Sequence, residues 1–211
     1  MKILFFGDSI TDCGRDKAIS DNTLNSYGYG FVRDIAGALN GKDPLKYQII
    51  NRGISGNRIV DLYARIKSDV WNNSPDVLSI LIGVNDVWHE VEFNNGVDLK
   101  RYENIYRLIL TETKERLPNI KIIICEPFTL KGKATETKFE EFSILFDYAK
   151  VCKKLAEEFN CEFLPLQSKL DYYAEKYGDT VCLTDGVHPA PFGAKLIADE
   201  WLKLFNDKIK L

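Results

Sequence analysis

Short apolar runs alternate along the chain with longer segments of helical periodicity. The apolar runs are rich in Ile, Val, Leu and Phe and do not alternate with polar residues, which is typical of strands that are covered on both faces. The predicted strands are 2–6 (KILFF), 47–51 (YQIIN), 76–82 (DVLSILI), 121–125 (KIIIC) and 161–166 (CEFLPL). Strands of this kind belong to a parallel sheet with helices on both sides.

Between the strands, apolar residues recur at steps of three and four, which predicts amphipathic helices. Such stripes run from Ile59 to Val70, through 98–117, through 139–159 and after Pro191. Strand and helix thus alternate about five times, which predicts an α/β fold: a three-layer α/β/α sandwich with about five parallel strands. A chain of 211 residues without a linker rich in Pro, Gly or Ser fits a single domain over 1–211. The longest polar connection is 126–138, a length often associated with function or mobility.

Composition narrows the classes of function. With 28 basic and 31 acidic residues the chain has a net charge of −3, so it lacks the basic excess that nucleic-acid binding requires. Its apolar runs of about half a dozen residues are far shorter than a membrane span of about 20 residues. The N-terminal stretch is too short for the core of an export signal. Five widely spaced cysteines without a CxxC pair favour reduced thiols in a cytoplasmic protein over disulfides or a metal site.

Three glycine-containing loops follow the first three predicted strands. They are Gly7-Asp8-Ser9-Ile10, the segment 51–57 (NRGISGN) and the segment 83–88 (GVNDVW). Open parallel sheets place their sites just past the carboxyl ends of the strands, so these loops are predicted to converge. Ser9 taken alone could equally be a turn residue, since Gly, Asp and Ser are common in turns.

A serine hydroxyl becomes a nucleophile when a base accepts its proton. Of the two histidines, His188 lies three residues after Asp185 in LTDGVHPAPFG, a spacing that can place the carboxylate beside the imidazole. Ser9, Asp185 and His188 are therefore the candidate catalytic triad. The alternative for His188 is a surface histidine that caps a helix. His89 lies beside Glu90, and is predicted to be a solvated loop residue.

Ester hydrolysis also needs hydrogen-bond donors for the developing oxyanion. The candidates are the N–H of Ser9, the N–H of a glycine in 51–57, and the side-chain amide of Asn85, which could instead be a turn residue. Asp12 and Asp86 follow their motifs in the manner of turn residues, and no chemistry is assigned to them.

These four motifs, in this order, resemble those of the SGNH, or GDSL-type, serine hydrolases. FGDSIT is similar to the block with the nucleophile, NRGISGN to the block with an oxyanion glycine, GVND to the block with an oxyanion asparagine, and DGVH to the final DxxH block. The resemblance implies a flavodoxin-like fold, ester hydrolysis without a metal or other cofactor, and Gly56 as the oxyanion glycine. Residues flanking the motifs most resemble intracellular acetylxylan esterases, some of which are homo-oligomers.

The predicted substrate is therefore a small ester, in particular an acetylated xylo-oligosaccharide. Trp88, Arg58 and Tyr27 are candidate substrate-binding residues, because sugar sites combine aromatic rings with polar groups. Trp88 could equally pack in the core, and Tyr27 and Tyr29 are expected to pack at the start of a helix. Two other hypotheses stay open: a lysophospholipase or acyl-CoA thioesterase, and a carbohydrate-binding module without catalysis.

Overall fold

A central sheet of five parallel strands organises the protein. The computed structural model describes residues 1–209, and residues 210 and 211 of the predicted domain lie outside the described residues. The strands are β1 (Lys2–Gly7), β2 (Gln48–Gly53), β3 (Val77–Leu81), β4 (Lys121–Cys125) and β5 (Glu162–Leu164). Their order across the sheet is β2-β1-β3-β4-β5, which is the flavodoxin-like order. The predicted fold class is confirmed.

Helices connect the strands. Over residues 1–209 they are α1 (Ser9–Asp12), α2 (Phe31–Lys42), α3 (Ile59–Asp69), α4 (Val84–Phe93), α5 (Leu99–Arg116), α6 (Phe139–Phe142), α7 (Leu145–Glu158), α8 (Gln167–Tyr177), α9 (Asp179–Cys182) and α10 (Pro191–Lys208). In this part of the chain, no helix combines the length and apolar character needed to cross a membrane.

Two details of the sequence prediction were wrong. The single helix predicted over 139–159 is divided into α6 and α7 at Ser143, whose hydroxyl donates to the carbonyl of Glu140 and closes the first turn. The last strand is shorter than 161–166, because Pro165 has no N–H and the N–H of Leu166 donates instead to the carboxylate of Glu126.

The two faces of the sheet are covered by different helices. Phe5 in β1 packs against Phe31 of α2 and Trp201 of α10, with ring centroids 5.8 and 5.1 Å apart. The neighbouring residue, Phe6, lies under the guanidinium of Arg65 in α3, on the opposite face. Both phenylalanines are buried, which explains why β1 lacks an alternation of apolar and polar residues.

The carboxyl ends of β2, β1 and β3, which are adjacent in the sheet, lie side by side. In the register of the sheet, Gly7 at the end of β1 pairs with Gly53 of β2 and with Leu81 of β3. The loops that follow these strands therefore start at the same edge of the sheet, next to one another. This edge carries the candidate site.

Candidate active site

Ser9, His188 and Asp185 form a continuous chain of hydrogen bonds. The hydroxyl oxygen of Ser9 lies 2.9 Å from Nε2 of His188, and Nδ1 of His188 lies 2.7 Å from Oδ2 of Asp185. With Nδ1 protonated and donating to Asp185, Nε2 is free to accept the proton of the serine hydroxyl. The arrangement meets the geometric requirements of a Ser-His-Asp triad.

The turn that carries Asp185 and His188 fixes both side chains. Oδ1 of Asp185 accepts hydrogen bonds from the backbone N–H groups of Val187 (2.9 Å) and His188 (2.8 Å). Burial on its own would raise the pKa of Asp185, but the hydrogen bonds from the ring and backbone of His188 and from Val187 lower that pKa to about 2. Asp185 is thus an anion, and its hydrogen bond raises the pKa of His188 above the ordinary value.

The polar connection 126–138 supports this turn. The N–H of Leu130 donates to the carbonyl of Gly186, and the N–H of Ala134 donates to the carbonyl of Asp185, both at 2.9 Å. At Gly132 a Cβ atom would lie 2.3 Å from the carbonyl carbon of Asp185, so only glycine permits this contact. The segment therefore braces the acid–base turn through backbone contacts, which its polar composition did not indicate.

Ser9 is placed by a tight turn between β1 and the short helix α1. Oδ1 of Asp8 accepts the N–H of Ile10 at 2.9 Å and so caps α1, which begins at Ser9. The carboxyl group of Asp8 is buried, and its Oδ2 has no partner within residues 1–209. Burial raises the pKa of Asp8 to about 7, although the Ile10 N–H and the nearby His188 both act to lower it.

The three predicted oxyanion donors follow three adjacent strands: Ser9 begins α1 after β1, Gly56 lies in the loop after β2, and Asn85 lies in the first turn of α4 after β3. Within residues 1–209, the backbone N–H groups of Ser9 and Gly56 make no hydrogen bond, so both are free to donate to a ligand. Gly56 has a φ of +82°, which favours glycine. Nδ2 of Asn85 uses one hydrogen on the carbonyl of Asn57 (3.1 Å), an interaction that orients the amide.

Asp12, to which the sequence assigned no chemistry, connects the short helix α1, which begins at Ser9, to the loop that contains Gly56. Its buried Oδ2 accepts hydrogen bonds from the N–H and the hydroxyl of Ser55, both at 3.1 Å, and from Lys17 at 2.8 Å. Ser55 directly precedes Gly56. The side chain of Asp12 thus fixes the peptide group next to a predicted oxyanion donor.

Asp86 has a comparable role on the other side of the site. It is fully buried, and its two carboxylate oxygens lie 3.0 and 3.2 Å from the N–H of Ile59, the first residue of α3. Burial raises the pKa of Asp86 well above its ordinary value. Because Asp86 follows Asn85, this contact connects the first turn of α4 to the start of α3. Neither Asp12 nor Asp86 is a simple turn residue.

Two recesses are bordered by the pair Ser9–His188. The larger recess has a volume of about 820 Å³, and its walls include Ile10, Tyr29, Phe31, Asp34, Pro189 and Pro191. The smaller recess, of about 300 Å³, is lined by Gly56, Asn85, Trp88, His89 and Phe93. Ser9, Ser55 and His188 line both recesses.

Only one of the three candidate substrate-binding residues lines either of these two recesses. Trp88 borders the smaller recess, with its ring centroid 6.0 Å from that of His188. Arg58 is held outside both recesses by Asp61 and by the carbonyl of Asn95. Tyr27 lines neither of them, because its ring is buried and its hydroxyl donates to Asn22, and its role in substrate binding stays a prediction.

Two expectations for neighbouring residues were wrong. His89 lies in α4, not in a loop, and borders the smaller recess beside Phe93. Tyr29 does not pack inside the protein at a helix start, since 75 % of its side chain is exposed and it forms a wall of the larger recess. An aromatic residue that is predicted from sequence to pack inward thus faces the cleft.

The parallel sheet, the serine at the end of β1 and the adjacent histidine and aspartate define the class of α/β serine hydrolases. The model of the GDSL-like lipase/acylhydrolase family matches residues 5–196, and the chain belongs to this family. The predicted family and the class of carboxylic ester hydrolases are confirmed.

Several proteins are similar to this chain over nearly its full length. The acetylxylan esterase of Geobacillus stearothermophilus is 35 % identical over 96 % of this chain and 92 % of its own. The crystal structure of that organism's acetylxylan esterase Axe2 superimposes with a TM-score of 0.86 at 34 % identity, covering 96 % of this chain and 92 % of its own. A GDSL-like lipase from Parabacteroides merdae reaches a TM-score of 0.92 at 44 % identity, covering 98 % and 96 %. Three further structures are catalytic mutants of Axe2 in which a serine, an aspartate or a histidine is replaced by alanine.

Proposed function

We propose that the protein is a serine esterase that removes O-acetyl groups from carbohydrates, with acetylated xylo-oligosaccharides as its substrates. The observation that carries the proposal is the hydrogen-bonded chain from Ser9 through His188 to Asp185, beside the free N–H groups of Ser9 and Gly56. A nucleophile, its base and oxyanion donors are the groups that acyl transfer from an ester requires.

In the proposed mechanism, the hydroxyl of Ser9 attacks the ester carbonyl while Nε2 of His188 accepts its proton. The negative charge on the carbonyl oxygen is stabilised by the N–H groups of Ser9 and Gly56 and by the amide of Asn85. His188, whose imidazolium is stabilised by Asp185, then protonates the departing alcohol. Water attacks the acyl group on Ser9 by the same route and releases the acid.

The substrate is inferred from the relatives. The similar enzyme from G. stearothermophilus is named an acetylxylan esterase, and Axe2 is described as an acetyl-xylooligosaccharide esterase. The three residue types replaced in the catalytic mutants of Axe2 are those proposed here for Ser9, Asp185 and His188. A lysophospholipase or acyl-CoA thioesterase is the alternative enzyme. A binding module without catalysis would not need the full set of catalytic and oxyanion residues, which are Ser9, Gly56, Asn85, Asp185 and His188.

The setting of the enzyme is also part of the proposal. All five cysteines are free thiols, which supports a reducing compartment and hence the cytoplasm. The net charge of −3 argues against nucleic acid as a partner. A homo-oligomer is proposed from the family resemblance, and the mass of the protein in solution tests it.

Acetate release tests the substrate assignment. Wild-type protein is incubated with acetylated xylo-oligosaccharides and, separately, with aryl esters of increasing acyl length. We expect rapid release of acetate from the oligosaccharides and a steep decrease in kcat/KM for acyl groups longer than acetyl. Poor acetate release with a preference for long acyl chains supports the lipase or thioesterase, and no hydrolysis of any ester supports the binding module.

Loss of one oxyanion donor should lower kcat more than it weakens substrate binding. We expect Asn85→Ala to reduce kcat by about 10²- to 10³-fold, because the amide donates to the oxyanion only as negative charge develops. Steady-state kinetics on an aryl acetate measure this effect. Asn206→Ala, which removes an exposed amide on α10, serves as the matched control. Near-full turnover of Asn85→Ala would show that Asn85 is not an oxyanion donor.

The pH dependence of kcat/KM should report the pKa of His188, because only the neutral ring accepts a proton. The hydrogen bond to Asp185 raises this pKa above 6.5, and burial, which acts in the opposite direction, has the smaller effect. We therefore expect kcat/KM to rise with pH through a midpoint above 6.5 and then to level off. A midpoint at or below 6.5 in the wild-type profile contradicts this prediction.

A further inference from the structure

We propose that the larger recess binds the sugar part of the substrate, with Tyr29 as a stacking platform, and that the smaller recess holds the acyl group and limits its length through Trp88. The proposal rests on the proposed function. It assigns the sugar of the substrate to the larger recess and the acyl group to the smaller one. The structural evidence consists of the residues that flank His188, the two volumes and the surroundings of Tyr29.

The direction of the leaving group follows from the position of His188. The oxygen of the departing alcohol has to lie beside Nε2 of His188, because that atom supplies its proton. The larger recess is walled by residues on either side of His188 in the chain, namely Thr184, Pro189 and Pro191. The oxyanion residues Gly56 and Asn85 instead line the smaller recess. The alcohol therefore leaves along the larger recess, and the acyl group faces the smaller one.

The two volumes agree with this assignment. The larger recess, at about 820 Å³, falls within the range of about 300–1000 Å³ that is usual for sites that enclose a small molecule. An acetyl group has three non-hydrogen atoms and leaves most of this volume empty, whereas a sugar chain fills it. The smaller recess, at about 300 Å³, is narrowed by Trp88, which is held between Phe142 and His188.

The ring of Tyr29 is held in place by the backbone and is exposed in the larger recess. Its backbone N–H donates to the carbonyl of Cys13 at 2.9 Å, and its ring rests on Gly14, where a Cβ atom would lie 2.5 Å from Cε1 of the tyrosine. The ring is thus supported from beneath while 75 % of the side chain is exposed. An aromatic face held in this way can pack against the C–H groups of a sugar ring.

Polar groups complete the larger recess. Asp34 lies on its wall, and within residues 1–209 its carboxylate takes part in no salt bridge. An acceptor of this kind matches the hydroxyl groups of a sugar, which donate hydrogen bonds. An acyl chain has no group that could donate a hydrogen bond to this carboxylate.

The test compares Tyr29→Ala with the wild type on two acetyl esters that differ in the leaving group. One is an acetylated xylotriose, and the other is ethyl acetate, whose leaving group has two carbon atoms and no sugar ring. We expect KM for the oligosaccharide to rise about tenfold, as for a buried aromatic contact, and the kinetics on ethyl acetate to stay unchanged. Tyr172→Ala, an exposed tyrosine on α8 outside both recesses, is the matched control.

A substitution at Trp88 tests whether the smaller recess holds the acyl group. In Trp88→Leu we expect the ratio of kcat/KM for p-nitrophenyl butanoate to that for p-nitrophenyl acetate to rise about tenfold, because the smaller side chain lengthens the recess. In Tyr29→Ala this ratio should not change. The two variants therefore separate the recess that holds the acyl group from the recess that holds the alcohol.

The outcomes that overturn the proposal are distinct from a failure of the proposed function. If the wild type releases acetate from the oligosaccharide but Tyr29→Ala affects both acetyl esters equally, the sugar does not occupy the larger recess. If Tyr29→Ala instead lowers activity on p-nitrophenyl octanoate alone, the larger recess holds the acyl chain. If the wild type hydrolyses simple acetates but no acetylated sugar, the proposed function itself is wrong, and the assignment of the recess to sugar is overturned with it.

Discussion

Replacement of Ser9 by alanine is expected to lower kcat for acetyl esters by about 10⁴- to 10⁶-fold. Without the hydroxyl 2.9 Å from Nε2 of His188, no covalent intermediate forms. Activity above the uncatalysed rate persists only through water that is activated by His188 and through the oxyanion donors. The fold should be unaffected, because the Ser9 side chain has His188 as its only hydrogen-bond partner among residues 1–209.

The measurement combines acetate release with labelling of the nucleophile. Wild-type protein should react with one equivalent of an organophosphate ester per chain, and Ser9→Ala should not react. Ser68→Ala, which removes an exposed serine hydroxyl on α3, should keep full activity and full labelling. More than about one tenth of wild-type turnover in Ser9→Ala would identify another residue as the nucleophile.

The second large effect is expected at Asp185. We expect Asp185→Asn to reduce kcat by about 10⁴-fold, the magnitude associated with loss of the correct histidine tautomer. The oxygen of the asparagine can still accept the N–H groups of Val187 and His188, so its amide nitrogen faces Nδ1. That nitrogen donates a hydrogen bond, which favours protonation of His188 at Nε2 and prevents the ring from accepting the serine proton.

A change in the pH profile separates this cause from a local loss of structure. Because the carboxylate raises the pKa of His188, its replacement should move the midpoint of the kcat/KM profile to lower pH as well as lower the plateau. Asp207→Asn, near the exposed end of α10, is the matched control and should change neither quantity. A reduced plateau with an unmoved midpoint would mean that Asp185 does not act through His188.

The architecture and the four motifs were predictable because each depends on local sequence. Apolar runs without alternation locate buried strands, and glycine-containing loops after them indicate the edge of the sheet where a site forms. The register of Gly7 with Gly53 and Leu81 is what brings the loops together. Proximity across the sheet follows from parallel topology, so three separate motifs could be assigned to one site.

The residues that the sequence did not identify act through contacts between distant segments. Asp12 and Asp86 lie at positions where turn residues are common, yet each accepts the backbone N–H of a different loop, at Ser55 and at Ile59. No spacing along the chain encodes such a pairing. The same holds for the contact of Gly132 with Asp185, because the polar segment 126–138 resembles a mobile loop until its partner is known.

The burial of two neighbouring tyrosines could not be predicted from sequence for a different reason. Tyr27 and Tyr29 are separated by one residue in NSYGYGF, and the sequence predicts the same packing role for both. Tyr27 is buried with its hydroxyl on Asn22, whereas Tyr29 stands on Gly14 at the cleft. The difference depends on Gly28 between them, whose positive φ (+76°) turns the chain outward. The pattern of apolar residues in the sequence does not indicate this turn.

The contact between Gly53 and Asp12 sets a limit on how the enzyme can be altered by laboratory evolution. A Cβ atom at residue 53, the last residue of β2, would lie 2.1 Å from the backbone nitrogen of Asp12 in α1, so the chain segments that follow β1 and β2 start from a contact of backbone with backbone. An insertion in either segment would displace the serine and the oxyanion glycine together. Libraries intended to change the ester that is cleaved should therefore leave both segments at their present length and vary exposed side chains at the mouths of the recesses, such as Phe93 and Tyr29.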